Sequence, residues 1–340
     1  MKNLFNSRND NTIKVVPRTR RKFNLFNFLV SQSIIIGFAG ILIFFSIKNY
    51  SFLQWQNIVD IIMRMSILSG PAFGVMLALV CKGIDLSSGT TMGLVAITLA
   101  SAISAGKSFG VSLFFAFLVG SSVGIINALL IAKANLNPFI ATISVLFIGN
   151  SIEKCVTRGG LPIYLYPSPK SLDRIYRGNI LGIPTPIFIM VIMTLLLFFF
   201  LEKSKYGRKL RAAGENIKAS RLAGIPVRFY YGLAYFFAAI CATIGGIVVL
   251  SQIRAAQPLV GESYLWDAIG AAYLSTIMSP RGQPNVLGTL FGALVMATVA
   301  NGFTLMGLSF YWKEFAKGVI ILILLLVSTL KKRYEGRCLY

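Results

Sequence analysis

The sequence predicts an all-α polytopic membrane protein of about ten transmembrane helices, with both termini on the cytoplasmic side and an inverted repeat relating spans 2–5 to spans 7–10. Three observations carry this. The 340 residues are 56% hydrophobic and only 13% charged, where a soluble domain has roughly 45–50% apolar and about 25% charged residues. Apolar stretches long enough to cross a bilayer recur along the chain. The 33 basic residues, set against 11 acidic ones, are gathered into a few loops. So few charges cannot cover a water-exposed surface of this size, which excludes a soluble globular domain, a disordered chain and a secreted disulfide scaffold.

A span needs about 20 largely apolar residues. Candidates run 25–47, 58–80, 84–105, 109–132, 138–156, 183–201, 229–252, 266–280, 285–307 and 311–330. The first run is too long for a signal peptide and has no small-residue cleavage site, so it reads as a retained helix. The third is weak, because Asp85, Ser87, Ser88, Thr90 and Thr91 crowd its start. The eighth is short and reads as broken or re-entrant.

Loop charges set the orientation. Residues 1–24 hold seven basic side chains and one acid, the 202–228 loop holds eight basic residues, and 331–340 holds four. These three segments share one face only if an even number of spans separates each from the next, and six spans followed by four satisfy this. The basic-rich face is cytoplasmic. The expected organisation is a tail at 1–24, a transmembrane domain at 25–330 and a tail at 331–340. The 202–228 loop lies inside, and the Pro-, Gly- and Tyr-rich 157–182 loop lies outside. In a soluble chain a net charge of +22 would suggest nucleic acid, but no zinc finger, helix-turn-helix or aromatic-spaced basic motif accompanies it. The charge reads as orientation, and no nucleic-acid partner is expected.

Two halves of the chain share a pattern. The run Leu113–Val119 leads to Asn127, and Leu287–Val295 leads to Asn301 at a matching offset. Asp85 opens the third span as Asp267 opens the eighth. Under this topology the paired spans cross in opposite directions, as in the inverted repeats of transporters; chance likeness between small-residue helices is the alternative.

Four cysteines form no C-x-x-C pair and histidine is absent, so no zinc site or His-based triad is expected. There is no Walker A motif. No catalytic, cofactor or metal site is expected, and any ATP dependence must come from a partner. The informative loop is 206–226. Gly207, Gly214 and Gly224 punctuate two short helices, with Leu210, Ala213 and Ile217, then Ala219, Leu222 and Ala223, at helical spacing. This predicts an amphipathic helical hairpin that docks a cytoplasmic partner; a solvated or lipid-surface loop is the alternative.

These residues carry a resemblance. The chain resembles the permease subunits of bacterial ABC importers for ribose, xylose, galactose and related sugars. Gly83-Ile84-Asp85-Leu86-Ser87-Ser88-Gly89 is similar to the family's GIDLS-x-G motif, and Pro138-Phe139-Ile140-Ala141-Thr142 to its PFI-A/V-T motif. The loop matches a third motif through Gly207, Arg208, Ala212, Gly214, Asn216, Ala219, Gly224 and Ile225, with Glu215 and Arg221 inside the same segment. Asp267-Ala268-Ile269, Gly288–Ala293 and Asn301-Gly302 match the C-terminal half. The likeness runs from about 30 to 330. It implies a multi-pass inner-membrane protein with a cytoplasmic ATPase docked on the 202–228 loop. It also implies a periplasmic or lipid-anchored sugar-binding protein and a second permease copy, in a homo- or heterodimer. The solute would be a pentose or hexose. Where the family has a glycine-rich stretch, this chain has Ser275–Pro284 and keeps only Gly282, losing backbone freedom that bears on gating.

Given a sugar, Asn127, Asn137 and Asn301 are candidates for the translocation path, because amides both donate to and accept from hydroxyls; Ser87 and Asp85 could line the same path. For Asp85 and Asp267, helix capping or structural pairing ranks ahead of solute contact. Arg64 and Glu153 are expected to be paired or snorkelling charges. Other readings remain: an ion-coupled secondary transporter using Asp85, Glu153 and Asp267, a membrane scaffold or channel, or an ABC permease for a nucleoside, autoinducer or branched-chain amino acid.

Overall fold

Within a bilayer every backbone N–H and C=O needs an internal partner, and the apolar runs meet that demand as helices. The computed structural model describes residues 25–279, 282–309, 311, 312, 314–316, 318, 319 and 322. Among the described residues the principal helices are α1 (Leu25–Lys48), α2 (Trp55–Val80), α3 (Ser87–Ser104), α4 (Phe109–Ala128) and α5 (Pro138–Val156), then α6 (Lys170–Arg177), α7 (Thr185–Phe198), α8 (Lys205–Glu215) and α9 (Ile217–Leu222), and finally α10 (Val227–Ile253), α11 (Val260–Met278) and α12 (Val286–Leu305). Single π-turns, Leu129–Lys133 and Phe199–Lys203, extend α4 and α7.

Among the described residues seven helices are long and apolar enough to cross a membrane: α2, α3, α4, α5, α7, α10 and α12, with α4 and α7 taken together with their π-turns. The predicted first span coincides with the helix α1, whose Ile35–Lys48 part is a shorter apolar helix. The tails 1–24 and 331–340, and most of the predicted tenth span at 311–330, lie outside the described residues.

The predicted eighth span needs correction. It was expected to start at 266, but α11 starts at Val260. The polar residues that lowered the hydropathy there are satisfied inside the protein. Glu262 accepts a hydrogen bond from Asn150 of α5, and the Ser263 hydroxyl donates to the Val260 carbonyl at 2.7 Å. Asp267 therefore sits within α11 and does not cap it.

Helices α2 and α10 form the centre. Ala238, the Cys241 backbone and Gly245 of α10 meet Gly70, Pro71 and Gly74 of α2, the close backbone approach that membrane helices use in place of a hydrophobic driving force. Around this pair α3 and α4 pack against α10, α11 and α12 pack against α2, and α5 packs against α3. The apolar residues left exposed lie mainly on α4, α5 and α7, among them Phe114, Leu118, Phe147, Leu195 and Leu196. Exposure of such residues suits a surface solvated by acyl chains.

The outer loop is folded. Strand β1 (Ile163–Tyr164) pairs antiparallel with β4 (Ala255–Ala256), and β2 (Asn179–Ile180) pairs with β3 (Ile183–Pro184). Helix α6 lies across the end of α10. Arg177 donates to the carbonyls of Ser251 and Gln252 at 3.0 and 3.2 Å, and the Ser251 hydroxyl donates to the Leu172 carbonyl at 2.6 Å. A cation at a helix C-terminus satisfies orphan carbonyls and suits the dipole. Arg254 grips both oxygens of Asp173 at 2.8 and 2.9 Å. Arg177 and Arg254 thus hold structural contacts that a pure orientation rule does not foresee.

Candidate translocation site and coupling surface

The two motifs nearest each other in space are 83–89 and 138–142. Thr142 Oγ1, on the first turn of α5, accepts the Leu86 N–H at 3.2 Å and lies 3.2 Å from the Ile84 carbonyl oxygen. One hydroxyl therefore pins the non-helical stretch between α2 and α3. Within that stretch Asp85 is 1% exposed. Its carboxylate accepts from the Ser87 N–H at 2.9 Å, the Ser87 hydroxyl at 2.6 Å and the Ser88 hydroxyl at 2.8 Å. The Ser87 oxygen in turn accepts from the Asn127 amide at 2.7 Å. Asp85, Ser87 and Asn127 are thus brought into one buried chain, and Asp85 satisfies donors at the start of α3, as a capping carboxylate does.

The start of α11 meets the start of α3. A Cβ on Gly261 would lie 1.9 Å from the Gly89 carbonyl oxygen, so the two backbones touch where residue 261 can carry no side chain, while a Cβ on Gly89 would meet Gly261 more loosely, at 3.2 Å. The second carboxylate at this crossing is Glu153, not Asp267. Glu153, reaching in from α5, is fully buried and accepts the Leu259 N–H at 2.7 Å and the Thr90 hydroxyl at 3.1 Å. It is neither ion-paired nor snorkelling; Leu259 directly precedes α11, so Glu153 serves the start of that helix much as Asp85 serves α3. Sequence inspection marked Glu153 only as an intramembrane charge, and no local signal links it to Leu259, which lies 106 residues away.

The asparagines separate. Asn137 is exposed and caps α5 by accepting the Phe139 N–H at 2.9 Å. Asn301 is buried on α12, which packs against α2 and α11, whereas Asn127 lies on α4, which packs against α3 and α10. The side-chain oxygens of Asn127, Asn150 and Asn301 and the Tyr235 hydroxyl are buried with no hydrogen-bond partner among the described residues. Among those residues no group of three or more His, Cys, Asp or Glu is placed to hold a metal ion.

Against the end of α2 and the start of the 83–89 motif, the predicted hairpin is α8 and α9, with Lys82 donating to the Glu215 carbonyl at 3.0 Å. Ser204 caps α8 by accepting from Tyr206 and Gly207, Asn216 caps α9 by accepting from Ala219, and Gly224 follows with φ +73°. The Ser220 hydroxyl fastens α9 to α8 through the Ala212 carbonyl at 2.8 Å. Arg211 bonds Glu202 at 2.5 Å and Gln283 at 3.1 Å, and Gln283 also donates to Glu215. The atypical 275–284 segment therefore touches the hairpin, around a cavity of about 330 Å³ that Lys82, Tyr273 and Thr276 help to line.

The two apolar stripes do not form one hairpin interior, as their spacing suggests. Leu210 and Ala213 of α8 are fully buried beneath the hairpin. On α9 only Ser220 is buried; Ala219 and Ala223 are exposed, Ile217 is 40% exposed and Leu222 91%. Arg208, Lys209, Lys218 and Arg221 are exposed around them, while Ala212 and Ile225 are half-buried.

Sequence comparison matches this architecture to known proteins. The family model described as the permease component of branched-chain amino acid transport systems matches residues 57–328. The chain is 33% identical over 296 residues to the ribose import permease protein of Bacillus subtilis, covering 87% of this chain and 92% of that one. It is 31% identical over 275 residues to the galactofuranose transporter permease protein of Escherichia coli K12, covering 80% and 79%. The D-allose transport system permease protein of the same organism is 27% identical over 281 residues, covering 82% and 85%. No solved structure matches the chain. These relatives are transport components and not enzymes, and nothing in the match indicates a cofactor on the permease itself.

Proposed function

The chain belongs to this family of transport permease components and is a multi-pass inner-membrane protein, and from that premise we propose that it is the membrane-spanning subunit of an ATP-dependent importer for a neutral pentose or hexose. ATP is hydrolysed by a separate subunit that docks on α9. The observation that carries the docking is the bare apolar face of Ile217 and Leu222 ringed by Lys218 and Arg221, on a hairpin anchored from below by Leu210 and Ala213. Relatives named for ribose, galactofuranose and D-allose support the solute class.

In this reading the chain has ten spans: the seven apolar helices, α1, α11 and a last helix across 311–330. Both termini and the 202–228 loop are cytoplasmic, and 157–182 faces a periplasmic or lipid-anchored binding protein. Two permease copies assemble. An inverted repeat pairs α2 with α10, α3 with α11 and α4 with α12, and the meeting of the α3 and α11 starts at Gly89 and Gly261 supports it. That repeat replaces the Asp85–Asp267 correspondence with one between the starts of the two helices. Asp85, Ser87, Asn127 and Asn301 line or support the path, and their unpartnered amide oxygens suit a polyhydroxylated solute. Asn137 acts as a cap. Closure of the ATPase pair moves the hairpins, and the crossing at α3 and α11 opens alternately to the two sides.

The test is capture of the cognate ATPase subunit by detergent-solubilised permease carrying Leu222→Glu. A buried interface tolerates no unpaired charge at its centre, so capture is expected to fail while the monomeric fold is kept. Undiminished capture would remove the docking surface. Uptake of radiolabelled sugar by the reconstituted permease without any ATPase would instead favour a gradient-driven transporter.

A further inference from the structure

Arg64 lies on α2, and its surroundings conflict with a lipid-facing helix. At about 1.5 Å per residue α2 is about 39 Å long, against a hydrocarbon core of about 30 Å. In the proposed topology its N-terminal end is the outer one; Arg64 lies about 13 Å along the helix from Trp55, and with α2 centred on the core it enters the core by about 9 Å. There it is exposed and makes no hydrogen bond or ion pair among the described residues. Asp60, one turn nearer the outer surface on the same helical face, is exposed as well. One turn deeper the character changes: Ile67, Leu68 and Pro71 are buried. An unpaired guanidinium and a carboxylate exposed at this depth are costly against acyl chains and cheap against water, which points to water on this face of α2.

The neighbouring wall has matching chemistry. Tyr264 of α11 lies within electrostatic reach of both Arg64 and Tyr176 of α6, and the Tyr176 hydroxyl accepts from Gln252 at 3.0 Å. Such groups suit a neutral polyol: its C–H face packs on aromatic rings, and its hydroxyls both donate to a carboxylate and accept from a guanidinium. We infer that Asp60 and Arg64 line a water-filled outer entrance through which the solute reaches the α3–α11 crossing. This rests on the importer reading for the identity of the solute, but the access of water at α2 does not.

The experiment places Arg64→Cys, Asp60→Cys and, as a lipid-facing control, Leu118→Cys singly in a chain whose native cysteines are replaced. The complete transporter is reconstituted in proteoliposomes and treated from outside with a membrane-impermeant sulfonatoethyl methanethiosulfonate. Both α2 positions are expected to be modified and Leu118→Cys spared, and modification of Arg64→Cys is expected to abolish ATP-driven uptake of radiolabelled D-ribose or D-allose, whichever the unmodified variant carries. Two results overturn the inference: Arg64→Cys and Asp60→Cys as unreactive as Leu118→Cys, which puts them against lipid or a closed protein contact, or full modification with uptake unchanged. Failure of the unmodified wild type to capture its ATPase subunit is a different failure, that of the importer reading, and the labelling pattern separates the two.

Discussion

The Glu153 carboxylate accepts the Leu259 N–H at 2.7 Å, joining the outer part of α5 to the residue that opens α11. Because Thr90 of α3 donates to the other oxygen, a single side chain ties three helices at the crossing.

Replacing Glu153 separates its charge from its hydrogen bonds. Glu153→Ala leaves a buried N–H and hydroxyl without a partner and opens a void against Gly93, so a loss of about 1–3 kcal/mol is expected. Glu153→Gln keeps the shape and one accepting oxygen, and is expected to lose less than half of that. Thermal unfolding of the purified protein in detergent compares them. Equal loss in both variants would show that the charge, not the geometry, holds the crossing.

Thr142 offers a smaller test on the same principle. Thr142→Val is nearly isosteric but strips the acceptor from Leu86, for an expected cost of about 1 kcal/mol. Thr142→Ser keeps it. Hydrogen exchange at the amides of 84–87 should accelerate in the valine variant alone, and similar exchange in both would detach the 138–142 motif from the 83–89 loop.

The contact of Gly261 with Gly89 predicts a sharp asymmetry between glycines. Gly261→Ala places a methyl group against backbone that cannot yield, and overpacking of this kind costs about 1–3 kcal/mol or prevents assembly. Gly232→Ala, whose Cβ would sit 3.5 Å from the Ala128 methyl, is expected to be neutral or slightly stabilising, since alanine favours the helix. Yield of monodisperse protein and thermal stability report the difference; equal behaviour of the two would mean the α3–α11 crossing is looser than its geometry.

Where α6 meets the end of α10, the guanidinium of Arg254 hydrogen-bonded to Asp173 holds that carboxyl below the ordinary aspartate range. A depressed native pKa means the contribution is present above the unfolded value of about 3.9 and is lost as the pH falls through the lower, folded value. Protection of the 251–256 amides should stay level from neutral pH down to about pH 4 and then decline. In Asp173→Asn that acid step should be missing. A decline centred near neutrality, or an identical acid step in the asparagine variant, would assign the effect to another group.

Several features were legible in the chain because they are local. Hydropathy located the spans, with α2 beginning within three residues of its expected start and α5 coinciding with it, because a bilayer forces each apolar run to satisfy its own backbone. Glycine spacing pointed to two short helices, yet only Gly224 closes one: Gly207 and Gly214 lie inside α8, whose ends are set by the caps Ser204 and Asn216. The start of α11 was misplaced for an equally physical reason: Glu262 lowers the hydropathy of its first turn, and only the arrival of Asn150 from α5 makes it compatible with a buried helix.

What the sequence by itself determined is therefore the membrane class, most of the helices, the basic helical hairpin and the two motifs that meet at Thr142. Tertiary structure decided which carboxylates matter together, setting Asp85 and Glu153 at the starts of α3 and α11 and leaving Asp267 inside its helix. It also decided which of two similar apolar stripes is buried, sealing Leu210 beneath the hairpin and leaving Leu222 bare. The division follows from range. Hydropathy and capping are properties of neighbouring residues, whereas burial and the partner of a carboxylate depend on segments that only folding brings together.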